Sequence, residues 1–203
     1  MTKKLYPIFP TCVTENYCDI SKEQLKFIMQ QQNHVVKNSL TSISNDKNIL
    51  DKKIFKKLKT KIEKCFNEYV LEIYNCDSIK VHVTQSWLNF SKKGDSHFDH
   101  YHPNSFLSGV LYIKADPQHH YITFNNNQTN TMILPSNERT KWGDFNCTSY
   151  DIPAEQGKLL IFPSKLNHNV ETNTKDYLRI SLSFNTWLKG EIGETNRATY
   201  LKL

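Results

Sequence analysis

The chain has 203 residues, 38% of them hydrophobic and 12% aromatic, with a formal net charge of +6. That length can bury a real core as a single domain spanning residues 1–203. No apolar run approaches the roughly 20 residues of a membrane span, and Met1-Thr-Lys-Lys-Leu-Tyr-Pro lacks the apolar stretch of a signal peptide, so a cytoplasmic protein with no membrane partner is expected. Five scattered cysteines (Cys12, Cys18, Cys65, Cys76, Cys147), none in a C-x-x-C pair, argue for free thiols rather than a disulfide framework or zinc ribbon.

In chain order, residues 1–76 read as a helical part. Ser21-x-x-Gln24 has the form of a capping box ahead of Leu25, Phe27, Ile28 and Met29. The polar stretch Asn38–Asn48 reads as an irregular loop. From Asp51 to Tyr74, Phe55, Leu58, Ile62, Cys65, Tyr69 and Ile73 recur at helical spacing, a long amphipathic helix whose apolar stripe needs a sheet to cover. The lysines around Lys52 to Lys64 fit its solvated face. Only Arg139, Arg179 and Arg197 among the 26 basic residues are arginines, and asparagine is abundant, which matches an AT-rich genome, such as a marine bacterium's or a phage's, better than a nucleic-acid partner.

Residues 77–203 read as a β core. Ile79–Phe90 alternates, with Val81, Val83, Gln85, Trp87 and Asn89 expected on one face. Strand-like runs follow at 106–114, 121–124, 131–134, 158–162, 167–171 and 177–188. A surface turn is expected at Asn125–Asn130, and a lid over Gln118–Asn146. Many short strands after two helices suggest an antiparallel barrel or sandwich with helices packed outside.

The densest chemistry lies in Gly94-Asp-Ser-His97-Phe-Asp99-His100-Tyr-His102-Pro-Asn-Ser105, with His168 far downstream. On a regular strand His100 and His102 share one face and His97 and Asp99 the other, giving two mutually exclusive ligand pairs. Either pair joined by His168 makes a facial set with open positions for chemistry. Arg179 and Ser181, two apart in a β-like run, suit a carboxylate, and an arginine retained in so lysine-rich a chain points to a need for guanidinium geometry. His119-His120, beside Asp116-Pro, reads as an exposed loop, and Trp87 and Trp187 as core or barrel-mouth packing.

The pattern resembles the Fe(II)- and 2-oxoglutarate-dependent oxygenases. The resemblance rests on Trp87-x-Asn89, Gly94-x-x-His97-x-x-His100-x-His102-Pro-x-Ser105-x-x-Ser108-Gly109-Val-x-Tyr112, Gly157-x-Leu-x-x-Phe-Pro-Ser164-x-x-x-His168 and Arg179-x-Ser181, with a further hint in Leu5–Pro10. It looks most like a bacterial and phage branch of that superfamily, and its specific motifs cover residues 85–185. It implies a mainly β (α+β) fold, a double-stranded β-helix or cupin-like jelly roll with N-terminal helices outside. Prolyl-hydroxylase-like relatives carry Gly-x-x-Tyr-x-x-His-x-Asp. Laid on Gly94, that run places His97 at the tyrosine and makes His100, His102 and His168 the metal set, with His97 and Asp99 as the alternative register. The resemblance further implies Fe(II), 2-oxoglutarate and O2, with Arg179, Ser181 and more weakly Tyr112 holding the distal carboxylate. A substrate would be hydroxylated as succinate and CO2 are released. His102 departs from the usual carboxylate ligand, which keeps a second reading open: a cupin-like three-histidine metalloprotein, a dioxygenase or isomerase that ignores 2-oxoglutarate.

Overall fold

The computed structural model describes residues 3–38, 40–126, 143 and 145–203. The strand expected at 131–134 lies outside them, as do most of the 125–130 turn and of the 118–146 lid. The chain forms β1 (Thr14–Tyr17), α1 (Lys22–Gln31), β2 (Val35–Asn38), β3 (Thr41–Ser44), α2 (Lys56–Tyr74) and β4 (Lys80–Ser91). It continues through β5 (His97–His100), β6 (Leu107–Lys114), β7 (Tyr121–Asn125), β8 (Ser149–Pro153), β9 (Lys158–Pro163), β10 (His168–Val170) and β11 (Arg179–Lys189) to a small terminal ribbon, β12 (Glu191–Ile192) with β13 (Leu201–Lys202).

Two antiparallel sheets pack face to face. The larger runs β1-β9-β6-β11-β4-β3-β2 and the smaller β5-β10-β7-β8. From β4 to β11 the chain alternates between them at every step except β7 to β8, which are successive strands of the smaller sheet, and this is the winding of a double-stranded β-helix.

The helices cover the outer face of the larger sheet. Ser21 caps α1 as its sequence requires: its Oγ accepts the Gln24 N–H at 3.2 Å while Gln24 Oε1 accepts the Ser21 N–H at 2.9 Å. In α2 the predicted stripe is buried through Leu58, Ile62, Cys65 and Tyr69, joined by Phe66, which meets Phe184 of the sheet edge-to-face at 5.7 Å. Each such large side chain contributes about 1.5–3 kcal/mol on burial. Ile73 is exposed, and Phe55 belongs to a short 3-10 turn before the helix. Asn75 ends α2 in the left-handed region at φ 52°. Among the described residues no helix is long and apolar enough to cross a membrane.

Two expectations are corrected. Residues 38–48 are not an irregular loop: β2 and β3 pair with each other, and β3 extends the larger sheet through Ser42↔Phe90 and Ile43↔Asn89. The serines and threonines of β3 carry no alternating apolar signal, so pairing with β4 decides their conformation. The alternation of β4 also changes face midway. Gln85 pairs with Asn185 and Val83 with Thr186, so Thr84 is an extra, bulged residue. Beyond it Leu88 and Phe90 join Val81 and Val83 in the helix-side core, and Trp87 and Asn89 turn to the interior between the sheets.

Candidate metal centre

The interior face of the larger sheet follows from its register. Arg179 pairs with Ser91, Ser181 with Asn89 and with Tyr112, and Ser183 with Trp87. Directly paired residues share a face. The alternate residues Ile180, Leu182 and Phe184 belong to the helix-side core. On the opposing small sheet, His100 pairs with His168 and His168 with Phe124. Val110, Leu160, Phe162, Ile122 and Phe124 fill the space between the sheets.

His100, His102 and His168 converge there, each offering a ring nitrogen, and these atoms all lie within 4.8 Å of one another. Their ring centroids are 4.3 to 5.2 Å apart. Two tautomers are set by backbone carbonyls, which can only accept. His100 Nδ1–H donates to Phe98 O at 2.6 Å and His168 Nδ1–H to Leu166 O at 2.9 Å, leaving both Nε2 lone pairs free for a cation. Phe162 and Phe124 wall His168 at 4.8 and 6.0 Å, and Trp87 stands 5.8 Å from His102.

Burial favours the neutral forms of His102 and His168. Burial, with the neighbouring His168, His100 and His97, pushes His102 down to about 3. Burial, with His100 beside it, brings His168 down to about 4. Neutral imidazoles on one side of a pocket are the donor set of a divalent transition metal, so the residues present fit a metal ion.

His97 and Asp99 do not pair as the alternative register required. His97 pairs with Val170 and His100 with His168, so β5 spends three steps where β10 spends two. This bulge swings His97 onto the same side as His100, where the rings stack at 4.6 Å and 20°. Burial, with His100 and Arg179 nearby, pushes His97 down to about 4. Asp99 faces away, accepting from Asn125 Nδ2 at 2.8 Å and Asn167 Nδ2 at 3.3 Å.

Arg179 is only 6% exposed, has no ion-pair partner among the described residues, and its Nε–H meets no acceptor. Burial lowers its pKa and raises that of Tyr112, its electrostatic neighbour. Ser181, buried on the same face, accepts from Asn89 Nδ2 at 3.3 Å. Asn89 Oδ1 and Ser91 Oγ are also buried and unpaired. The cationic fork, the Ser91 hydroxyl and the Tyr112 phenol thus share one interior face of the larger sheet, a donor set that fits an anionic carboxylate compound. Asn89 had a sequence signal in Trp87-x-Asn89, but alternation alone misplaced its face; Ser91 had none.

His120 is not an exposed loop residue. It is buried, its Nδ1 accepts the Asp116 N–H at 3.0 Å and its Nε2–H donates to Asn173 Oδ1 at 3.4 Å. His119 pairs with Asp116 at the surface. Trp187 is 41% exposed, and all five cysteines are free.

Comparison with known proteins agrees with this geometry. Residues 85–185 match the family model described as "Putative 2OG-Fe(II) oxygenase". No curated protein matches the sequence. Among solved structures, the non-haem α-ketoglutarate-dependent epimerase SnoN of nogalamycin biosynthesis superposes with a TM-score of 0.63 at 13% identity, covering 89% of this chain and 81% of that one. HygX from Streptomyces hygroscopicus, bound to nickel, 2-oxoglutarate and hygromycin B, gives 0.57 at 11% identity over 87% and 82%. A Pseudomonas putida prolyl-4-hydroxylase gives 0.58 at 10% identity over 86% and 92%.

Proposed function

Because the chain belongs to the Fe(II)- and 2-oxoglutarate-dependent oxygenase superfamily, we propose that it is a dioxygenase that hydroxylates a C–H bond of its substrate. His100, His102 and His168 would hold Fe(II), and Arg179, Ser181 and Tyr112 the distal carboxylate of 2-oxoglutarate. When bound, iron and 2-oxoglutarate activate O2, and the oxo acid leaves as succinate and CO2. The protein's own part is electrostatic and steric. Three neutral rings leave the cation's charge undiminished, which favours a dianionic co-substrate. The guanidinium orients that dianion, and the apolar wall of Phe124, Phe162 and Val110 excludes water.

The observation that carries the reading is the buried Arg179 guanidinium without a protein anion among the described residues, in the same interior as three convergent imidazoles. A buried cation costs several kcal/mol unless paired, and a 2-oxo dicarboxylate supplies the missing partner. A 2-oxoglutarate-independent three-histidine metalloprotein leaves that cation unexplained. The test is anaerobic addition of Fe(II) and 2-oxoglutarate. A visible metal-to-ligand charge-transfer band is expected, and succinate on admission of O2. Neither signal appearing sinks the proposal.

A further inference from the structure

Three serines in the motifs around the histidines, Ser105, Ser108 and Ser164, have no role in the chemistry proposed above. In the folded chain they meet. Ser164 Oγ donates to Ser105 Oγ at 2.7 Å and lies 2.8 Å from Ser108 Oγ, and Ser108 donates to Asn185 Oδ1 at 2.9 Å. Ser105 Oγ in turn donates to Leu107 O at 3.0 Å and accepts the Thr186 N–H at 3.2 Å. Ser108 and Ser164 are each 1% exposed, so every hydroxyl removed from this network leaves a buried neighbour short of a partner.

The network sits where the histidine cluster most needs support. His100 and His168 face each other across β5 and β10, so strand pairing fixes them. His102 lies beyond the end of β5, in a connection that includes Asn104 at φ 56° and rejoins regular structure at Leu107. Ser164 holds that connection at three points. The His102 N–H donates to Ser164 O at 2.9 Å, the Ser164 N–H donates to Phe106 O at 3.2 Å, and the Ser164 hydroxyl grips Ser105 between them. Ser164 also begins the turn leading to His168. There the Leu166 N–H donates to Pro163 O at 2.9 Å, and Leu166 O accepts His168 Nδ1–H. One residue thus joins the segment carrying His102 to the segment carrying His168.

We infer that Ser164 is a positioning residue, whose hydroxyl network sets His102 against His168 and so determines how tightly the three imidazoles close on a divalent cation. The inference rests on the three-histidine reading above. Ser164→Ala keeps both backbone bonds and removes only the hydroxyl's contacts with Ser105 and Ser108. The expected loss is about 10–100-fold in affinity, the range seen when groups supporting metal ligands are removed.

Co(II) binding to the full chain, measured by chelator competition, tests it. Ser44→Ala is the control, since Ser44 is fully buried and bridges Asp46 O and the Leu88 N–H in the sheet, its hydroxyl bonding to neither the histidines nor the serine network. It should lower the melting temperature comparably and leave Co(II) affinity unchanged. On a His102→Ala background, Ser164→Ala should cost nothing further, because the group it positions is gone. Ser108→Ala, one step further from the connection, should show a smaller loss in the same direction and serves if Ser164→Ala does not fold. Parental affinity in Ser164→Ala or, should that variant not fold, in Ser108→Ala overturns the inference. So does an equal loss in Ser44→Ala, or a full loss persisting without His102. His100→Ala reports on the underlying reading: if the parent binds no Co(II), or binds it indifferently to His100, the three-histidine site itself falls.

Discussion

Replacing Arg179 by Met should stabilise the metal-free protein while abolishing 2-oxoglutarate binding. The guanidinium carries five donors and a fixed charge, is 6% exposed, and leaves its Nε–H without an acceptor. One buried unsatisfied donor costs about 1–3 kcal/mol, and desolvating the charge adds to that. Met is unbranched and of similar length, so repacking should cost less than about 1.5 kcal/mol. The net gain is about 2 kcal/mol, which for a chain of this size raises the melting temperature by roughly 4–8 °C. The co-substrate loses a charge-assisted contact of about 1.5–3 kcal/mol per hydrogen bond, so a two-point grip is worth at least about a hundredfold in affinity. Thermal melts of the metal-free variant and anaerobic titration with Fe(II) and 2-oxoglutarate measure the two effects. A variant that melts below the parent, or whose 2-oxoglutarate affinity stays within about threefold of it, under 1 kcal/mol, refutes the reasoning.

His100→Ala, His102→Ala and His168→Ala should each weaken Co(II) binding by at least about a hundredfold, whereas Asp99→Asn, whose carboxylate faces Asn125 and Asn167, should leave it unchanged; calorimetric titration of the four variants decides between the ligand registers. Metal-free stability should fall with acid. His97, His102 and His168 hold folded pKa values of about 4, 3 and 4 against an ordinary 6.5, so below pH 6.5 the unfolded chain takes up protons first. Urea melts should therefore show stability intact above pH 6.5 and declining toward pH 4, with a shallower decline in His102→Gln; a flat profile contradicts the burial of these rings. Gly109→Ala should destabilise by about 1–3 kcal/mol, because a Cβ there meets the Phe184 ring at 2.5 Å and Leu160 O at 2.9 Å, and a melting temperature unchanged from the parent counts against that packing.

The helices and the long core strands were legible because their burial has a period. The stripe through Leu58, Ile62, Cys65 and Tyr69 covers the sheet, and β6, β9 and β11 fall where apolar density placed them. Strands β1, β2, β3 and β8 were not legible. Each is four or five residues with only one or two hydrophobic side chains, and β1, β3 and β8 lie against strands distant in sequence, β9, β4 and β7, while β2 pairs with β3. A local pattern cannot record a non-local partner.

The two misplaced faces share one cause. Strict alternation treats a strand as having period two from end to end, and a single inserted residue inverts every side chain beyond it. The bulge at Thr84 moves Trp87 and Asn89 from the helix-packed face to the cavity, and the bulge in β5 moves His97 from the outer face to lie on His100. Without the second, His97 would point outward with Asp99, and the interior would lose a ring that neighbours both His100 and Arg179. The histidine-rich run is thus read correctly only as a bulged strand. Its three imidazoles and His168 share one interior, while the Asp99 carboxylate is turned away to the amides of Asn125 and Asn167.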